Sequence, residues 1–237
     1  MPPIPLIMKK ILIANPAGYG LEAPEVGHFL VRAAKVLWQR GITIDISCPM
    51  KSRIHQMRNV AVKAARQQHA DAILFIDPDI VPDALVHCGM TPFLPAALQF
   101  FDEHPGSVLA APYCGAYPKR SVQVFACDEH GKLIRMSHKS TKLRGWLQVA
   151  AVGTGLMLID MAVFDSLSPP YFFDRFRDVE ETTLEHTQDV VFSKRVREAG
   201  HKIWCNFSAW CVHWQNNPVE PPGFEGKYGD TATTCPN

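Results

Sequence analysis

Apolar residues along this chain come in two rhythms. Short runs occur at 11–14 (ILIA), 72–76 (AILFI) and 108–112 (VLAAP), with an alternating run at 42–47 (ITIDIS). Between the first three runs of the chain, apolar positions recur every three or four residues. Val26, Phe29, Leu30, Ala33, Val36 and Leu37 do so in one segment, and Ile54, Met57, Ala61, Ala64 and Ala65 in the next. The short runs predict strands, and the longer spacing predicts amphipathic helices. The first eighty residues therefore read strand (11–14), helix (25–40), strand (42–47), helix (53–68), strand (72–76), with Gly41 closing the first helix. Such alternation argues for a parallel sheet with helices on its faces.

The second half is less regular. Phe93, Leu94, Ala97, Leu98 and Phe101 predict a helix over 92–103, and 108–112 a strand. Residues 121–136 read as a hairpin turning at Asp128-Glu129-His130-Gly131. The stretch 148–159 (QVAAVGTGLMLI) is strand-like but interrupted by Gly153 and Gly155, which marks a close approach to backbone. Asp160 is placed to cap a short helix through Leu167. A loop rich in Pro and aromatic residues (168–180) leads to a helix over 187–199 that ends at Gly200, and 201–214 reads as two short strands. The sheet is therefore expected to be mixed but mostly parallel. Beyond Gln215 the chain has Pro and Gly but no period, which predicts a loosely ordered tail (215–237) behind one α/β domain (1–214).

Composition narrows the picture. With 237 residues, 47% hydrophobic and 20% charged, the chain can bury a core of ordinary size. A net charge of +1 gives no global field toward nucleic acid or an anionic membrane, so no stable nucleic-acid partner is expected. The seven cysteines are irregularly spaced without a Cys-x-x-Cys pair, which fits a reduced chain. Cys205, Cys211 and His213 lack a fourth ligand at zinc spacing. Lys9 and Lys10 break the N-terminal apolar stretch, and no segment has the length of a spanning helix. A cytoplasmic location without a transmembrane segment is the expectation.

Candidate chemistry begins where AILFI runs straight into Asp77-Pro78-Asp79. Unpaired negative charge at the end of a buried strand is costly, so cations or donors must surround it. Ligands on parallel sheets bind beyond the carboxyl ends of strands. Pro78 restricts the backbone and holds the two carboxylates in a fixed relation. Two such oxygen ligands suit Mg2+ or Mn2+, whose shells are completed by phosphates and water. A plain turn is the alternative, since Asp and Pro are common turn formers. Two more candidates follow. Asp189 falls in the first turn of the 187–199 helix, where the helix dipole by itself also favours an acid. His213 ends a strand between Trp210 and Trp214, where a packed histidine is the alternative.

Taken in order, Asp77-Pro78-Asp79, VGTGLMLIDMAVFDSL (152–167), TQDVVFSKRVREAGHKIW (187–204) and His213 resemble the GT-A type glycosyltransferases, close to family 2. The resemblance implies a single Rossmann-like GT-A domain. It implies metal-dependent transfer of a hexose from a nucleotide diphosphate sugar, UDP- or GDP-linked, to an acceptor hydroxyl with inversion. Asp79 and His213 would bind Mn2+ or Mg2+, Asp77 would share the metal or meet the ribose, and Asp189 would be the catalytic base. Gln188 stands where the family has Glu. The segment HQMRNVAVKAA resembles the family's Arg-Asn helix, which makes Arg58 and Asn59 candidates for nucleotide contact. Asp45, with Ser47 next, is nearest to the family's uracil-binding acid, and Asn15, Pro16 and Ala17 would line the base pocket. Gly153, Thr154 and Gly155 match the segment under donor sugar and acceptor, where two glycines leave room for substrate, although a β-bulge also accounts for one glycine. Lys119 and Arg120 would meet the diphosphate, or else form a solvated turn.

Three rivals stand beside this reading. DPDIV fits the nucleophile loop of an Asp-x-Asp phosphatase or phosphotransferase, but that loop belongs on a first strand and wants a later Gly-Asp-x-x-x-Asp. A nucleotide-sugar nucleotidyltransferase wants a basic Gly-rich loop after the first strand, and NPAGYGLEAPEVG has no Lys or Arg. A carbohydrate-binding descendant without activity predicts loss of the metal and base positions, and all are present.

Overall fold

In chain order the first half forms β1 (Lys10–Ala14), α1 (Pro24–Gln39), β2 (Thr43–Ser47), α2 (Ile54–Gln67), β3 (Ala72–Ile76), β4 (Ile80–Val81), α3 (Phe93–Glu103) and β5 (Val108–Ala110). There follow β6 (Val124–Cys127), β7 (Leu133–Arg135), β8 (Trp146–Gln148), β9 (Ala151–Val152), β10 (Leu156–Asp160) and α4 (Met161–Asp165). The chain continues with β11 (Arg175–Phe176), β12 (Leu184–His186), α5 (Gln188–Glu198), β13 (Ile203–Asn206), β14 (Val212–Gln215) and β15 (Asn217–Val219). This is a computed structural model, and it describes residues 8–16, 23–49, 52–115, 119–177, 183–215 and 217–224.

Local chemistry accounts for the helix ends. Pro24 opens α1 with Glu25 in its first turn, and Gly41 follows its end at φ 70°. Asp160 caps α4 as expected, its carboxylate accepting from the Ala162 N–H at 2.9 Å, although that helix stops at Asp165 rather than Leu167. The predicted hairpin is β6–β7. Asp128 holds its turn by accepting from the N–H groups of His130 and Lys132.

The central sheet runs β2-β1-β3-β10-β5-β13-β8. Strands β2, β1, β3, β5 and β13 are parallel, while β10 and β8 oppose them, so the sheet is mixed and mostly parallel as the sequence implied. The orientation of β10 has a simple origin. No crossover helix carries the chain back before it. The segment 153–155 instead turns against the end of β3, where the Gly155 carbonyl accepts from the Asp77 N–H at 2.8 Å, and β10 runs back from there.

All five residues of β3 are buried, so both faces of the sheet are covered. On one side Phe75 meets Phe172 edge-on at 5.5 Å. Phe172 stacks on Phe192 at 4.4 Å, and Phe164 lies 5.8 Å from Phe192, joining α4 and α5 to the sheet. Each fully buried Phe of this stack contributes about 1.5–3 kcal/mol relative to exposure. Helices α1 and α3 pack against one another elsewhere on the sheet. Among the described residues no cysteine is in a disulfide, and no helix is long and apolar enough to cross a membrane.

The tail departs from expectation. Residues 217–219 pair with β14 as β15, and β14 pairs in turn with β4, giving a second small sheet, β15-β14-β4. Val219 and Phe224 are buried in the core, and Arg120 donates to the Glu220 carbonyl. A three-residue strand and two anchors are too short to leave a period in the sequence, so this packing was invisible there. Residues 225–237 of the expected tail lie outside the described residues. Phe224→Ala is expected to lower the unfolding free energy by about 3 kcal/mol in urea titration. A loosely ordered tail would instead leave the midpoint unchanged.

Candidate functional site

Four separate elements bring charged side chains to the carboxyl ends of the parallel strands. Helix α2 supplies Arg58, the loop after β3 supplies Asp77 and Asp79, the first turn of α5 supplies Asp189, and β14 supplies His213. Arg58 is 2% exposed. Its Nη2 donates across both oxygens of Asp77 at 2.7 Å, and its Nη1 reaches Asp189 Oδ1 at 3.2 Å. Phe172 lies beside the guanidinium, 6.0 Å from ring centre to Cζ.

Burial pushes the Asp77 carboxyl up to about 6; Arg58 pulls it back, while Asp79 and Asp189 add to the rise. Burial also pulls the Arg58 pKa down, but Asp77 and Asp189 together outweigh it and hold the guanidinium above its ordinary range. The cluster is thus one buried cation shared by two acids, a group that is stable only while complete.

Asp189 is fixed through one oxygen. Its Oδ1 accepts from Arg58 and, at 2.7 Å, from the Thr154 hydroxyl. Among the described residues its Oδ2 receives no hydrogen bond. Asp174 secures the start of α5 by accepting from the Gln188 N–H at 2.9 Å, and Gln188 itself is buried.

Asp77 and Asp79 have different surroundings: their side chains are 17% and 41% exposed. Asp79 Oδ2 lies 3.1 Å from His213 Nε2. His213 Nδ1 lies 3.0 Å from the Cys114 carbonyl. A carbonyl only accepts, so Nδ1 carries a proton and Nε2 is the nitrogen turned toward Asp79. Burial pulls the imidazole pKa down, but the hydrogen bond and charge of Asp79 hold it above its usual value. The Trp214 N–H donates to the Asp79 carbonyl at 2.6 Å, which ties β14 to this loop.

The Asp79–His213 contact is a hydrogen bond, and two features make the pair compatible with a divalent cation. Neighbouring ligands of an octahedral ion with bonds of ~2.1 Å stand about 3 Å apart, close to the observed separation. An Nδ1–H to carbonyl bond is also the usual second contact of a metal-binding imidazole. Asp77, expected to share the metal, has both oxygens engaged by Arg58. Among the described residues no group of three or more His, Cys, Asp or Glu is placed to hold a metal. The pair therefore offers two protein donors, and the remaining positions would fall to ligand and water.

Gly153 and Gly155 do not open room for substrate as expected. A Cβ at Gly153 would lie 2.2 Å from the Tyr113 hydroxyl, and one at Gly155 would lie 2.8 Å from the Tyr113 ring and 2.6 Å from Ile80. The space is taken by Tyr113, whose ring also meets His213 edge-on at 5.6 Å. Burial raises the phenol pKa well above its usual value, with Asp189 and Asp77 adding to the effect. Sequence reasoning left Tyr113 unassigned. The one available signal was the pair of glycines two apart, a gap that a large ring from another strand can fill.

Other expected contacts lie elsewhere. The Asn59 carboxamide is engaged with backbone: it donates to the carbonyls of His55 and Phe172 and accepts from the N–H groups of Tyr171 and Phe172. It thereby sets the ring that flanks Arg58. Asp45 pairs with Lys10. Lys119 is exposed, and Arg120 points to Glu220. Asn15 and Pro16 are buried just past β1, with the Asn15 N–H on the Ser47 carbonyl at 3.0 Å. Ala17 lies outside the described residues. A cavity of about 840 Å3 sits across β4 and β14 from the acids, lined by Val81, Trp214, Phe29 and Asp83 among others. Strand alternation explains the division: Ile80 and His213 face the cluster, while Val81 and Trp214 face the cavity.

No family model matches the sequence, and no relative was found among curated proteins. Among solved structures, one with a TM-score above 0.5 shares the fold, and others match less well. The crystal structure of A197 from STIV matches with a TM-score of 0.56 and 15% identity, over 90% of this chain and 91% of that one. The crystal structure of GalNAc-T7 with UDP, GalNAc and Mn2+ matches with a TM-score of 0.47 and 11% identity, over 91% of this chain and 46% of that one. Apo-UDP-glucose pyrophosphorylase matches with a TM-score of 0.41 and 10% identity, over 86% of this chain and 76% of that one. At these identities a likeness speaks of fold alone, and the layout is the Rossmann-like one, with a mixed and mostly parallel central sheet, that the sequence implied.

The charge cluster makes its own prediction. Arg58→Met leaves two partly buried acids without their cation and is expected to cost about 3 kcal/mol of stability. Adding Asp77→Asn to that variant should recover a large part of the loss in a double-mutant cycle. Additive losses would mean that the two side chains do not depend on each other.

Proposed function

We propose that this chain is a glycosyltransferase that moves a hexose from a nucleoside diphosphate sugar to an acceptor hydroxyl. The observation that carries the reading is the sorting of the acids. Asp79 is paired with His213 and open to ligand, Asp189 is held by one oxygen with the other unengaged, and Arg58 joins Asp77 to Asp189.

In this reading Asp79 and His213 would hold Mn2+ or Mg2+, which when bound supplies positive charge opposite a departing diphosphate. Asp189 Oδ2 accepts the proton of the acceptor hydroxyl, whose oxygen forms the new bond to the anomeric carbon as the bond to the β-phosphate oxygen breaks. Arg58 and Thr154 keep the Asp189 carboxylate from rotating, so the accepting oxygen is already aimed when the acceptor arrives. A single displacement of this kind inverts the anomeric centre. The donor is a UDP- or GDP-linked hexose.

The sheet's geometry bears on the rivals. A phosphotransferase would need Asp77 as nucleophile, yet Arg58 lies across both its oxygens. A nucleotidyltransferase would need basic residues between β1 and α1, where the sequence has none.

Asp189→Asn is expected to reduce transfer by about 100-fold or more, while stabilisation by nucleotide sugar with Mn2+ persists in a thermal-shift assay. Asp79→Ala is expected to abolish both that stabilisation and transfer. Wild-type transfer that continues undiminished in EDTA, or a product that retains donor stereochemistry, would overturn the reading.

A further inference from the structure

Tyr113 belongs to the acid cluster in space but not to the roles assigned so far. It follows β5 and lies over the Gly153–Gly155 turn, 8% exposed. Its ring touches both glycines and meets His213 at 5.6 Å. Its hydroxyl stands over Gly153, next to Thr154, the residue that holds Asp189. Among the described residues that hydroxyl has no hydrogen-bond partner, and it is not sealed from solvent. Around it, the two terminal nitrogens of Arg58 are committed to Asp77 and Asp189, and the Thr154 hydroxyl to Asp189.

We propose that the Tyr113 hydroxyl binds the sugar that is transferred, as a specificity-determining contact of the donor site. This rests on the glycosyltransferase reading above. The position is the reason. The ring abuts His213, of the pair read as the cation site, and the hydroxyl lies toward Asp189, read as the base. The transferred group must sit between leaving phosphate and acceptor, hence between those two. A phenol both donates and accepts, which suits a sugar hydroxyl that does the same. Nothing in this arrangement requires contact with the nucleotide.

The two glycines follow from the same contact. Any side chain at 153 or 155 would drive the ring from its place, so the turn fixes the hydroxyl from beneath. Tyr113 thereby links the donor's sugar to the turn that carries Thr154, and through Thr154 to Asp189.

The test uses Tyr113→Phe, which keeps the ring against both glycines and removes only the oxygen. Binding of UDP, GDP, UDP-glucose and GDP-mannose is measured by calorimetry in Mn2+, for wild type and variant. The proposal predicts that the variant binds the free diphosphate as wild type does, but binds its sugar conjugate about tenfold more weakly, the size of one hydrogen bond. Equal binding of the conjugate by both proteins would overturn the role of Tyr113 and leave the glycosyltransferase reading standing. Equal loss for diphosphate and conjugate would place Tyr113 at the nucleotide instead and overturn the proposal. Wild type that binds none of the four, and no other nucleotide sugar, would sink the reading and the proposal together.

Discussion

A single buried guanidinium makes the rest of this molecule possible. Two carboxylates, Asp77 at the end of β3 and Asp189 at the start of α5, come together at the carboxyl edge of the sheet with Arg58 between them. Without a cation the acids would repel each other in partly buried surroundings, at a cost in stability. The same contact ties α2 to β3 and to α5, so three elements far apart in sequence are drawn to one point. It also divides the labour of the acids. Asp77 is consumed in neutralising Arg58, while Asp79, two residues on, is left part-exposed beside the buried His213.

Packing around the guanidinium keeps that division in place. Phe172 flanks Arg58 and joins the aromatic stack with Phe75, Phe192 and Phe164. Asn59, one residue after Arg58, grips the backbone of Tyr171 and Phe172, so a single turn of α2 both places the cation and anchors its aromatic neighbour. On the other side of the cluster, β15 and β4 flank β14 and thereby fix His213 opposite Ile80. Tyr113 fills the space between, held by the two glycines that interrupt the strand before β10.

Much of this was legible in the sequence, and the remainder was not for identifiable reasons. The alternation from 11 to 76 announced β1 through β3, because buried strands and amphipathic helices each impose a period. Asp77, Asp79, Asp189 and His213 stood out because charge at the end of a buried run demands an explanation. Arg58 stood out too, but as a contact for nucleotide. Its actual partners are acids 19 and 131 residues away, and no local pattern records such distances. Asn59 likewise read as a ligand contact, and its use as a backbone clamp depends on a loop with no period of its own. The glycines at 153 and 155 signalled a close approach correctly, yet the approaching group is an aromatic side chain rather than a substrate. The strand β15 was missed because three residues cannot show alternation.

The account turns on Asp79 and His213 being the cation's protein ligands while Asp77 stays with Arg58. Crystals grown with Mn2+ and a bound nucleotide sugar, measured at the manganese absorption edge, address this directly. The account predicts one anomalous peak about 2.2 Å from both Asp79 and His213, with Arg58 still lying across the Asp77 carboxylate. A peak seated on Asp77 with Arg58 displaced toward the phosphates, or no peak between Asp79 and His213 at all, would contradict it.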